Sequence, residues 1–217
     1  MSEAWPTAER PTPESVRERE RILAAAAAGD VATVRQAIEH AQDRVRATAA
    51  RSLAQLGQLD GGTQSELHRD ESPRVRRTVA ELAAADSSID LRALLADTDS
   101  TVTETACWAA GEHGADGRRY LALLVTISAT HEDALCREAA VAALGAIGSI
   151  DGLEAILAAT HDRATVRRRA VLALAPFASP EVDEALSRAL EDRDWQVRQA
   201  AEDLVGHPDE DASAGSA

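Results

Sequence analysis

The side chains able to do chemistry in this 217-residue chain are few: six histidines, two cysteines, and the neighbouring pairs Glu112-His113 and His131-Glu132. Three of the histidines, His40, His131 and His161, share one offset, six residues before Arg46, Arg137 and Arg167. A recurring histidine suggests a metal ligand set. Zinc, however, needs its nitrogens within about 2.1 Å of one ion, and stacked helices lie about 8–10 Å apart. Histidines on three separate helical layers cannot share an ion, so hydrogen bonding at that position is the simpler reading. Cys107 and Cys136 fall on apolar helical positions and read as reduced core thiols of an intracellular protein, with a disulfide or metal role as the lesser option. The sequence carries no activated nucleophile, phosphate-binding loop or metal cluster, so no catalytic, cofactor-binding or metal-ligating residue is expected.

The elements that position these residues repeat. VRATAARSLA starts at Val45, VRRTVAELAA at Val75, VTETACWAAG at Val102, CREAAVAALG at Cys136, VRRRAVLALA at Val166 and VRQAAEDLVG at Val197. The six anchors are spaced 30, 27, 34, 30 and 31 residues apart. A period near 30 with two helices per unit is the signature of a solenoid. In each copy an apolar anchor is followed by small or aliphatic residues on one face of a 3.6-residue period. Ser72, Asp99, Asp133 and Asp194 stand three residues before their anchors as N-caps, and Gly111 and Gly145 suit a close contact or a C-cap. Short amphipathic segments between the anchors supply the partner helices. The weakest of these, DGGTQSELHRD, reads as a single turn, and residues 13–28 add a first helix that shields the end of the array.

The Val-Arg pairs Val45-Arg46, Val75-Arg76, Val166-Arg167 and Val197-Arg198, with Cys136-Arg137 as a variant, resemble HEAT repeats in the short form of phycobilisome-lyase-like proteins. The resemblance covers residues 30–206. It implies an all-α, right-handed α-solenoid of about six helical pairs with an N-terminal capping helix. It also implies an Asp–Arg ladder along the stack, drawn here from Asp70, Arg76, Asp97, Arg137, Arg167, Asp192 and Arg198, in which Asp192 meets Arg198 and Asp70 meets Arg76. Thr103 replaces the arginine in the third unit. HEAT-like deoxyhypusine hydroxylases hold two irons through His-Glu pairs at the second and third positions after the anchor. Here those positions read Ala47-Thr48, Arg77-Thr78, Glu104-Thr105, Glu138-Ala139, Arg168-Arg169 and Gln199-Ala200, so the di-iron chemistry is excluded. HEAT-type alkylpurine DNA glycosylases need a basic concave face, which this acidic chain does not offer. A bilin-lyase-like or other protein-modification role rests on the general repeat alone.

In stacks of this family the second helices line the concave face, and positions two and six after each anchor point outward. Trp108 stands there among Glu104, Glu112 and Glu138. It is either a binding anchor, since tryptophan is enriched at hot spots, or a cover for the gap beside Ala109 and Ala110. With Glu104, Glu138, Arg77 and Arg168 it forms the candidate binding set.

The remaining bounds are compositional. The net charge of −14 opposes attraction to nucleic acid and to anionic lipid. No run of 18 apolar residues spans a membrane, and the N-terminus lacks signal-peptide character. The expectation is a cytoplasmic, monomeric, non-catalytic adaptor without cofactor, binding a protein or peptide that carries basic residues. Residues 1–12 and the acidic tail 207–217 are expected to be disordered around a solenoid spanning 13–206.

Overall fold

Alanine, leucine and valine at helical spacing build helices throughout. The computed structural model describes residues 12–206, and among them it contains no strand. The expected disordered segments fall outside the described residues, except for Thr12. That residue belongs to the array: its hydroxyl oxygen accepts from the Ser15 amide at 3.1 Å and caps the first helix, with Pro13 at the first helical position.

The chain divides between Leu82 and Ala83 into two compact units, where one array was expected. The first carries α1 (Pro13–Ala27), α2 (Val31–Gln36) running into a 3-10 turn at Ala37–Glu39, α3 (Asp43–Gln55), α4 (Gly61–Leu67) and α5 (Pro73–Ala83). The second carries α6 (Arg92–Leu95), α7 (Ser100–Glu112), a 3-10 turn (Gly114–Tyr120), α8 (Leu121–Thr130) and α9 (Ala134–Ile147). A 3-10 turn (Ile150–Gly152), α10 (Leu153–Ala159), α11 (Ala164–Ala173), α12 (Pro180–Leu190) and α13 (Trp195–Val205) complete it. Among the described residues six first-and-second helix pairs result, α2/α3 through α12/α13, and α1 packs on α2 and α3 as the second helix of a pair without a first. Within the second unit α7 packs on α9, α9 on α11 and α11 on α13. All six anchors are buried. The architecture is an all-α helical-repeat fold, and no described helix is long and apolar enough to cross a membrane.

Two first helices differ from the expected lengths. DGGTQSELHRD forms the seven-residue α4 because Asp60 caps it, accepting from the Thr63 amide at 2.9 Å, while Arg35 reaches across from α2 to the Asp60 carboxylate at 3.0 Å and the Thr63 hydroxyl at 2.7 Å. Conversely SSIDLRALLAD yields only the single-turn α6. The Asp90 side chain there accepts from the Arg92 amide at 3.1 Å, and its carboxylate also pairs with the Arg92 guanidinium at 2.9 Å. Such local bonding competes with helix propagation. Asp99, Asp133 and Asp194 cap α7, α9 and α13 as expected, each accepting from the amide two residues on at 2.9 Å. The Ser72 hydroxyl donates instead to Asp43 of the preceding pair at 2.8 Å.

Small residues set how closely the second helices approach. Gly111 of α7 lies against Ala143 of α9, and Gly145 of α9 lies against Ala173 of α11. A methyl group at Gly145 would sit 2.7 Å from the Ala173 Cβ and 2.8 Å from its Cα, and backbone cannot rotate away. Gly145→Ala gains about 1 kcal/mol of helix propensity, yet it is expected to destabilise the protein by about 1–3 kcal/mol through overpacking. The denaturant midpoint at unchanged m reads this out. A midpoint equal to or above wild type would show that the two helices separate freely.

Candidate functional site

Two sets of residues were singled out in the sequence: the ladder and the outward surface of the second helices. The ladder arginines follow their anchors by one residue, so each sits near the start of a second helix with its side chain directed toward the connecting turn. Arg46 places Nε and Nη2 on the two carboxylate oxygens of Asp70, both at 2.7 Å. Arg137 grips Asp162 in the same way at 2.7 and 2.9 Å, and Arg167 grips Asp192 at 2.8 and 2.7 Å. The third nitrogen, Nη1, caps the turn of its own unit. It donates to the main-chain oxygens of His40 and Ala41 from Arg46, of His131 and Glu132 from Arg137, and of Asp162 from Arg167. Each rung therefore joins an arginine to the aspartate of the following pair, 24 or 25 residues on.

This corrects the pairing expected from sequence. Arg198 does meet Asp192, and Arg76 meets Asp70, but through main-chain oxygens at 2.7 and 2.6 Å; the two carboxylates belong to Arg167 and Arg46. Asp162, one residue past the expected position, was missed. The aspartates also fix their own turns, with Oδ1 of Asp70, Asp97 and Asp192 accepting the amide two residues on at 2.8–2.9 Å. His40 and His131 do the same through Nδ1, accepting from Gln42 at 3.0 Å and from Asp133 at 3.1 Å. A histidine can replace the turn-forming role of aspartate but not its charge. It stands in the first pair and in the fourth; the unit before the fourth carries Thr103 in place of an arginine, and the Thr103 hydroxyl takes over only the carbonyl of Asp97, at 3.2 Å. Among the described residues no three His, Cys, Asp or Glu side chains come together in a metal-holding group.

Hydrogen bonding to Arg137 holds the Asp162 carboxyl below the usual aspartate range, against the opposing effect of burial, and hydrogen bonding to Arg167 does the same for Asp192. The thiols of Cys107 and Cys136 are free and buried. Burial raises both, Cys136 to about 11, and its Sγ donates to the Ser100 carbonyl at 3.2 Å. Neither is a thiolate near neutral pH.

On the second helices the candidate set divides by availability. Trp108, on α7, is 49 % exposed beside the fully buried Ala109 and Ala110. It therefore lies outside the core, on the face that also carries the half-buried Glu104 one turn earlier. Arg168 on α11 is exposed and Glu138 on α9 is half-buried. Glu138 is not free: Arg169 of α11 reaches it at 3.3 Å. Arg77 belongs to the first unit, where Glu81 takes Arg51 at 2.6 Å and Arg77 at 3.5 Å. Arg169, Arg51 and Glu81 were not singled out in the sequence as pairing residues, because their partners lie about one repeat away. Ala47, a nominally outward position, is buried.

Comparison with known proteins follows this geometry. The sequence profile of HEAT repeats matches residues 62–145 and 88–173, together just over half of the chain, and that of the PBS lyase HEAT-like repeat matches 166–192. Among solved structures, an engineered protein from the Northeast Structural Genomics Consortium superposes with a TM-score of 0.57 at 20% identity, covering 81% of this chain and 95% of its own. YibA of Escherichia coli gives a TM-score of 0.58 at 16% identity, covering 89% of this chain and 74% of its own. At these identities the likeness is one of fold. No curated protein matches the chain.

The ladder generates a pH dependence. The carboxyls of Asp162 and Asp192 titrate lower folded than unfolded, so their contribution is present above the unfolded aspartate value near 3.9 and is lost as pH falls through the lower folded values. Asp192→Asn is expected to cost about 3 kcal/mol at pH 7, because it leaves the nearly buried Arg167 guanidinium without its carboxylate. The same variant should lose less stability than wild type between about pH 5 and pH 2. Parallel acid-unfolding curves for the two proteins would refute this account of the rung.

Proposed function

The chain belongs to the HEAT-repeat family, and on that premise we propose that it is a non-catalytic scaffold that binds a protein or peptide segment across its second helices, with Trp108 as the anchor. The carrying observation is the half-exposed Trp108 ring on α7. The core beneath is closed by Ala109 and Ala110 and by the Gly111–Ala143 approach, so the ring fills no gap in it. Tryptophan on a rigid helical surface presents a large apolar area at little conformational cost, the character of an interface anchor.

The neighbouring charges specify the partner. Glu104 stands one helical turn from Trp108 and makes no ion pair among the described residues, while Glu138 retains only the single long contact to Arg169. A segment with an apolar residue for Trp108 and an arginine or lysine for Glu104 satisfies both. Arg168, exposed on α11, turns the surface basic at that position and sets the direction in which such a segment lies. The buried, protonated thiols of Cys107 and Cys136 support a reducing, intracellular setting. A lyase-type role draws only on the repeat itself, which serves many unrelated functions.

The experiment is comparative capture from the native host with wild type and Trp108→Ala, followed by titration of the partner so identified. The variant should keep its far-UV circular dichroism and thermal midpoint while affinity drops by about thirtyfold or more, the scale of an aromatic hot spot. Wild-type affinity should fall as salt rises from about 50 to about 500 mM. Equal binding by both proteins, or loss of helicity in the variant, would place Trp108 in the fold and remove the anchor.

A further inference from the structure

Beside the Arg167–Asp192 rung the second unit holds a cleft of about 390 Å³. It opens between two turns, the one joining α10 to α11 and the one joining α12 to α13. Arg167 and Asp192 form part of its wall, and Arg188, Arg193 and His161 line it as well, all three exposed. Its floor reaches Val171, Ala189 and Val197, members of the apolar core.

The charge at this rung departs from that at the first. Asp70 is followed by Glu71, which brings a second carboxylate to 3.5 Å from Nη2 of Arg46. Asp192 is followed by Arg193, the opposite charge at the same place in the repeat. Both oxygens of Asp192 already bind Arg167, at 2.8 and 2.7 Å. The other carboxylate on the wall, Asp162, is held by Arg137 at 2.7 and 2.9 Å. Arg193 makes no hydrogen bond or salt bridge among the described residues, and neither does the His161 ring. Arg188 has Glu184, one turn back on its own helix, at 2.8 Å with both residues exposed. A pair of that kind contributes little and exchanges readily. In a chain of net charge −14, cationic donors here outnumber the anions left to meet them.

We propose that this cleft binds a compact oxyanion, the carboxylate or phosphate group of a small molecule, held by Arg193 and Arg188 with the His161 ring as a further donor. The bound group does at the Arg167 rung what Glu71 does at the Arg46 rung: it supplies the second anion. A guanidinium fork suits both chemistries, because each presents a pair of oxygens to two parallel N–H groups. The molecule itself pairs arginine with a carboxylate in this bidentate way at three rungs. The volume falls at the lower end of the range of small-molecule sites. The inference is independent of the Trp108 surface.

Titration of the isotopically labelled full chain with glutarate and, separately, with inorganic phosphate tests it, sodium chloride at matched ionic strength serving as the control. At least one of the two anions should give saturable amide shifts at residues 160–162 and 188–193. Saturation by glutarate alone assigns the cleft to carboxylates, by phosphate alone to phosphate esters, and by both to either group. Arg193→Gln should weaken binding about tenfold, the scale of a lost hydrogen bond to a charged group. Arg193→Glu, which places after Asp192 the acid that follows Asp70, should abolish it. Arg193 is exposed and bonded to nothing, so both variants keep the fold, as far-UV circular dichroism would show. Arg118→Gln, a change to an exposed arginine outside the cleft, should bind as wild type does. Shifts reproduced by chloride, saturation by neither anion, or an Arg193→Glu variant that binds as tightly as wild type would overturn the proposal.

Discussion

A guanidinium fork spanning two helical pairs is the constraint on which the register of the repeats depends. The second helices meet through alanine and glycine, as at Gly111 with Ala143 and Gly145 with Ala173. Such surfaces allow close approach but carry few knobs and holes, so one helix could slide along another at little cost in dispersion. An arginine bonded at once to a turn in its own unit and, bidentately, to an aspartate of the next admits one relative position. Replacing a buried ion pair by apolar residues is commonly neutral or even stabilising. What this one supplies is geometry, and the arginine at Arg46, Arg137 and Arg167 cannot be exchanged for the point charge of lysine without losing the fork. The chain's exclusive use of arginine among its basic residues is compatible with that need.

Periodicity made the helical pairs legible in the sequence, and the N-cap aspartates marked where α7, α9 and α13 begin, because both signals are local. The ladder's members were legible and its pairing was not. Within one unit Asp192 and Arg198 are six residues apart and look like partners, whereas the true partner of Asp192 is Arg167, in the unit before. No local pattern separates the two arrangements, since a regular repeat puts an arginine on each side of every aspartate. The histidines become intelligible only after the inter-unit pairing is known. His131 is tolerated where the preceding unit offers Thr103 and no arginine; behind Arg137 the chain needs a carboxylate and provides Asp162 beside His161. The lengths of α4 and α6 escaped for a related reason, since Arg35 supports α4 from another pair while Asp90 captures the start of α6 locally.

The same inter-unit pairing separates candidate binding residues that looked equivalent in sequence. Positions two and six carry charges in both compact units, yet in the first Arg51 and Arg77 both engage the one carboxylate of Glu81. In the second, Arg169 occupies Glu138, while Glu104 and Arg168 have no ion-pair partner among the described residues. Exposed pairs of this kind contribute little to stability, at most about 1 kcal/mol. They do decide which charges are already engaged within the fold and which, such as Glu104 and Arg168, are not.

The use of aromatics carries the last step. The chain has three Trp, one Tyr and one Phe, and its core is built from small aliphatic residues that pack without them. Of these rings Tyr120 is the one buried in the interior among the described residues. Its hydroxyl accepts the Leu91 amide at 3.1 Å and Arg119 lies over its face at 4.8 Å, so folding accounts for it. Trp108 and Trp195 remain about half or more exposed, on helices whose inner faces are complete without them. An indole held against water gives up the burial that would otherwise offset its hydration, and alanine or leucine would serve either helix as well or better. Neither ring answers a demand of the fold. At Trp108, where Glu104 has no ion-pair partner among the described residues, the proposed contact with another chain would give the indole the burial that the fold does not.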